Sequence, residues 1–162
     1  MEYVRIHANH DLSKAVKVLN KAHGTVAAEF GFTKANNPTN SAFIDEQALK
    51  TQLDKGIELY QLTINDKGIG CIAIEKSKKE VDTFYIEKVS VIPEYRNQGY
   101  GIKMMEFATN MIRGNGGKWI SIALIDSNTR LKYWYLKQGF KETGIKVFPH
   151  LPFRVCFMNK QI

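Results

Sequence analysis

The chain has 162 residues, 44% hydrophobic and 24% charged, and its 23 lysines and arginines exceed 16 acidic residues to give a formal charge of +7. That length suits one domain, residues 1–162, with a full hydrophobic core, and no apolar run approaches the ~18 residues of a membrane-crossing helix. The basic balance favours a polyanion (nucleic acid, an anionic membrane or a phosphorylated small molecule), yet no helix-turn-helix, zinc-finger spacing or aromatic RNA-binding signature accompanies it.

The first residues, "MEYVRIHANHDLSK", lack the apolar core of a secretory signal. Cys71 and Cys156 both lie in apolar, strand-like runs, which predicts buried free thiols in a reducing cytoplasm. "YVRIHA" (3–8) reads as a first strand. Asp11 or Ser13 is placed to cap a helix ending near Ala22, with Leu12, Ala15, Val16 and Leu19 on one face. The stretch 23–40 mixes Gly, Asn and Pro with aromatics and reads as an irregular connection of the kind that often carries function. A second helix follows at about 43–55.

"IELYQLTI" and "GIGCIAIEKS" alternate apolar and polar residues on either side of "NDKG", a hairpin signal. "VDTFYIEKVSVI" (81–92) is a long strand stopped by Pro93. After a loop, "YRNQGYG", comes a helix to about Arg113 that "NGG" (115–117) terminates. "KWISIALI" is a strand, "SNTRLKYWYLKQ" a helix capped by Ser127 or Asn128 and stopped by Gly139, and two strands close the chain. The order is βααβββαβαββ, an α/β arrangement with a mixed sheet and helices on both faces.

The glycine loop carries the chemistry. Gly99-x-Gly101 is not a dinucleotide fingerprint, because Met104 stands where the third glycine belongs, and "GNGGKW" fails the P-loop spacing. What remains is Arg96-x-x-Gly99-x-Gly101 entering a helix. Its successive N–H groups form an anion-binding nest, and glycines let a pyrophosphate approach without a Cβ clash. A tight strand-to-helix turn without a ligand accounts for this loop equally well when it is taken alone. His7, His10 and His23 have no cysteine or carboxylate partners at metal spacing, so no metal is expected.

The surroundings of the loop decide between these readings. "VSVIPEYRNQGYGIKMM" resembles the acyl-coenzyme A motif of the GNAT N-acetyltransferases: a Val-x-Val strand, then Pro, then Arg-x-x-Gly-x-Gly, then a helix. "SNTRLKYWYLKQGF" resembles their second motif in Asn128, Tyr135, Gly139 and Phe140. The resemblance spans nearly the whole chain. It implies the GNAT fold, a mostly antiparallel sheet of about seven strands, and acetyl-coenzyme A as co-substrate.

It also implies roles for residues. Backbone groups of Ser90, Val91 and Ile92 would pair with the pantetheine arm and acetyl carbonyl, where a strand splits from its neighbour. Arg96 and the loop amides of Gln98, Gly99, Tyr100, Gly101, Ile102 and Lys103 would hold the pyrophosphate. Asn128 would bond the pantetheine arm, and Tyr135 would point its hydroxyl at the sulfur, unless it is simply a core aromatic. The leaving thiolate needs a proton or a strong hydrogen bond, which a phenol can give. For the amine proton, Glu87 stands four residues before Val91 and is expected on the same face; the alternative is an ion pair with a neighbouring lysine. His150, in "FPHLPF", borders the acceptor region in relatives, and its alternative is an ordinary loop histidine.

The resulting expectation is acetyl transfer to the primary amine of a small molecule or peptide by direct attack in a ternary complex. A catalytically silent acyl-coenzyme A-binding module or sensor is the competing class. No membrane or nucleic-acid partner is expected, and a homodimer is left open. Residues 23–40 and 147–153 are expected to line the acceptor site.

Overall fold

The computed structural model describes residues 1–162. β1 (Glu2–Ile6) leads into α1 (Ser13–Glu29), where the Asp11 carboxylate accepts from the Ser13 amide at 3.0 Å. The helix runs past its expected end at Ala22. Gly24 inside it costs ~1 kcal/mol relative to alanine, and burial of Ala22 and Ala27 on either side offsets that cost. A separate 3₁₀ turn, Ser41–Phe43, precedes α2 (Glu46–Asp54), which starts later than expected because Asp45 caps it, accepting from the Ala48 amide at 2.8 Å.

β2 (Glu58–Ile64) and β3 (Lys67–Lys76) form the expected hairpin, with Asn65 and Asp66 both at positive φ (48° and 60°), as a type I′ turn requires. Then follow β4 (Thr83–Val91), α3 (Tyr100–Gly114), β5 (Trp119–Ile125), α4 (Thr129–Lys137), β6 (Lys141–Val147) and β7 (Arg154–Gln161). The seven strands make one sheet in the order β1-β2-β3-β4-β5-β7-β6, antiparallel throughout except between β4 and β5.

Helices cover both faces. A Cβ at Gly68 would lie 3.1 Å from Val18 of α1, whereas one at Gly70 would lie 3.2 Å from the Met104 sulfur of α3. The register shift opposite Leu62 and Thr63 turns β3 over between these two glycines. Leu19, Leu49, Leu59, Leu62, Ile72, Met104, Ile112 and Ile120 are fully buried between the layers, each stabilising the fold by roughly 1.5–3 kcal/mol.

Two irregularities of β4 position everything that follows. It pairs with β5 over three residues only, Thr83 with Trp119, Phe84 with Ile120 and Tyr85 with Ser121, and beyond these the strands part. It is also bulged: Glu87 pairs with Ala73 but Ser90 with Cys71, and Lys88 between them has φ 54°. The bulge overturns the expectation that Glu87 shares a face with Val91. Val91 pairs with Gly70 on the α3 face, while Glu87 and Ser90 share the opposite, α1 face.

Candidate active site

The loop between β4 and α3 is a strand-to-helix turn whose amides are unspent. Pro93–Tyr95 form a 3₁₀ turn, Asn97 sits at φ 60°, and Gly99 caps α3 at φ 81°. The N–H groups of Gln98, Gly99, Tyr100, Gly101 and Ile102 donate to no protein acceptor. They stand at the positive end of the α3 dipole, where free amides suit an anion. Two expected members behave otherwise. The Lys103 amide is already bonded to the Gly99 carbonyl at 3.1 Å, which leaves only its ammonium for an anion.

Arg96 is the second. Its Nε donates to the Val91 carbonyl at 2.9 Å, and Nη2 donates to the Ala22 carbonyl and Thr25 hydroxyl at 2.7 and 2.9 Å. The side chain thus ties the loop to α1 and the end of β4 instead of facing the nest. The two glycines serve different needs. Gly99 supplies the left-handed conformation with open space around it, whereas a Cβ at Gly101 would sit 3.2 Å from the Trp134 ring of α4.

α4 carries the two motif residues, Asn128 at its cap and Tyr135 near its end. Buried Asn128 caps the helix, its Oδ1 accepting from the Leu131 amide at 3.1 Å, and its Nδ2 has no protein acceptor. Tyr135 is buried against Trp134 and Phe140 with ring centroids 4.8 and 5.4 Å away. Burial holds its phenol well above the ordinary tyrosine range, so the hydroxyl keeps its proton. Tyr133 is 59% exposed and lies under the Lys137 ammonium.

On the α1 face, where β4 and β5 part, a cleft of about 280 Å³ is walled by Tyr85, Glu87 and Lys88 of β4, Ser121 and Ala123 of β5, Phe157 of β7 and Ser41. Glu87 makes no ion pair. Its surface is accessible, yet the cleft displaces enough water to raise its carboxyl, an effect that Glu75 reinforces and Lys88 opposes. Burial lowers the Lys88 ammonium, whose one hydrogen bond runs to Ser41 Oγ at 3.3 Å. His23 of α1 lies behind the cleft with Nε2 unpartnered; burial, then the Lys88 and Arg96 charges, push it down to about 4.

His150 lies on the exposed turn between β6 and β7 with its ring 5.8 Å from that of Phe148, and it does not line the cleft. The two expected acceptor segments do meet, through Phe32 and Phe153 at 5.1 Å between centroids. Lys88, Ser41, Tyr85, Ser121 and Phe157 escape a reading of the sequence, since no local pattern marks the bulge or the split that gathers them.

A family model for the acetyltransferase (GNAT) domain matches residues 55–142. No curated protein matches the chain. Among solved structures, the PaiA N-acetyltransferase of Thermoplasma acidophilum in complex with coenzyme A superposes with a TM-score of 0.78 at 14% identity, covering 100% of both chains. An acetyltransferase from Thermus thermophilus gives 0.76 at 11% identity over 99% of this chain and 96% of that one. The ribosomal-protein-alanine N-acetyltransferase of Brucella melitensis gives 0.72 at 16% identity over 100% of both. At these identities the likeness is one of fold.

Proposed function

Because the chain belongs to the GNAT acetyltransferase family, we propose that residues 1–162 are one N-acetyltransferase domain moving an acetyl group from acetyl-coenzyme A to a primary amine of a small molecule or peptide. The observation that carries this reading is the row of unspent amides from Gln98 to Ile102 at the open end of the β4–β5 split. When bound, acetyl-coenzyme A supplies an acetyl thioester at one end and a pyrophosphate at the other. The residues present fit both ends: the nest suits the pyrophosphate, and the unpaired edge of β4 at Ser90, Val91 and Ile92 suits the amide-bearing arm.

Asn128 offers Nδ2 to that arm while Oδ1 stays on the helix cap. A backbone N–H near Val91 polarises the acetyl carbonyl. Tyr135 Oη donates to the departing sulfur. Its raised pKa makes full proton transfer unfavourable, so it acts by a hydrogen bond. Glu87, made more basic by its surroundings, draws the acceptor ammonium into the cleft and takes its proton through water. The amine attacks directly from a ternary complex. The two buried free cysteines suit a reducing, cytoplasmic setting, and no helix is long and apolar enough to cross a membrane.

Thiol release from acetyl-coenzyme A across a panel of amines tests the proposal. Amine-dependent release with formation of the acetylated amine is expected. Coenzyme A binding with no release for any amine would identify a silent binding module instead.

A further inference from the structure

Consecutive residues of a strand point to opposite faces, but the bulge in β4 places Glu87 and Lys88 in the wall of one cleft. They carry opposite charges, and neither makes an ion pair with the other or with a third residue. Lys88 Nζ touches only the Ser41 hydroxyl, and the Glu87 carboxylate accepts no hydrogen bond. Glu87 is exposed at the cleft and open to a ligand, whereas Lys88 is partly buried. A partly buried cation with a single hydroxyl partner is costly to a fold unless something else pairs with it. Two charges of opposite sign in one cleft are complementary to a ligand bearing both signs.

We propose that the acceptor is a zwitterion of the amino-acid type, its ammonium directed to Glu87 and its acidic group held by Lys88 Nζ and Ser41 Oγ. The inference rests on the acetyl-transfer reading and names the substrate class of the same site. At about 280 Å³ the cleft is at the small end of ligand sites. It continues into an open trench of about 640 Å³ that shares Tyr85, Ser121 and Phe157 and gives an apolar side chain two aromatic rings to lie on. A polyamine fits poorly, because its second cation meets Lys88. In the reaction the amide N–C bond forms as the thioester C–S bond breaks. The ammonium gives up two protons, one ending on the released thiol and one, through Glu87, in water.

Matched triplets test this: phenylalanine, phenylalanine amide and phenethylamine, with the leucine and methionine equivalents. The α-amine of an amide is less basic than that of the free acid, so intrinsic reactivity favours the amide and a preference for the acid must come from the site. For at least one triplet, kcat/KM for the acid should exceed that for its amide by 10-fold or more. Lys88→Met should bring the ratio to about one, and Lys88→Arg should retain it. In parallel, the acid should raise the Tm of the coenzyme A-loaded protein, and Lys88→Met should abolish the rise. Acid and amide used equally in every triplet, or a ratio unchanged in Lys88→Met, overturns the zwitterion site alone. A Lys88-dependent Tm rise without turnover of any amine supports the site while overturning acetyl transfer. The absence of both turnover and a Tm rise with every acid overturns the inference.

Discussion

Tyr133 and Tyr135 stand two residues apart on α4 and meet opposite environments: one is exposed beneath a lysine, the other buried with its phenol held protonated. Tyr135→Phe should therefore lower kcat by roughly 10²-fold, the scale of a lost hydrogen bond to developing charge, with coenzyme A affinity kept within a few-fold by calorimetry. Tyr133→Phe should behave as wild type; the reverse outcome would transfer the role. Glu87 gives the pH dependence its sign. Its carboxyl is raised, so the base form is lost as pH falls through a value above the ordinary glutamate pKa, and kcat/KM should fall on that acid limb. Glu87→Gln should remove the limb. His150→Gln should keep it, because His150 does not line the cleft; a limb lost only in His150→Gln would reassign the base.

At the scale of elements, Gly99 is the sensitive point of the glycine loop. At φ 81° an added Cβ costs about 1–2 kcal/mol of backbone strain without striking any protein atom. Gly99→Ala should thus lower stability by about that amount in chemical denaturation and weaken coenzyme A binding by shifting the amides. Unchanged affinity in the folded variant would detach the loop from the cofactor. The order of elements, the hairpin turn, the glycine turn into α3 and the Asn128 cap are legible in the sequence, because each rests on local patterns of period, cap or glycine spacing. Three features are not. The bulge at Lys88 depends on how β3 and β4 pair, the fold-back of Arg96 on an α1 carbonyl far away in sequence, and the extension of α1 through Gly24 on burial that outweighs propensity. Each is a tertiary effect, and the first moved Glu87 to the other face of the sheet.

For the whole molecule, the parting of β4 and β5 is the organising event. Beyond Tyr85 and Ser121 the two strands run apart, with the free amides of 98–102 following the end of β4 and the charged cleft on the α1 face. α1 and the segment after it are tied to their neighbours: Glu29 pairs with Arg130 of α4 at 2.9 Å, Arg96 holds its loop to Ala22 and Thr25, and Phe32, beyond the helix, meets Phe153. On the proposed reading the acetyl donor and the amine meet at this split and react with no acyl-protein species, by direct transfer in a ternary complex. Initial velocities measured while acetyl-coenzyme A and an accepted amine are both varied test it most directly. Intersecting double-reciprocal lines, with no acetyl label left on the protein, are the predicted result; parallel lines with a labelled protein would contradict it.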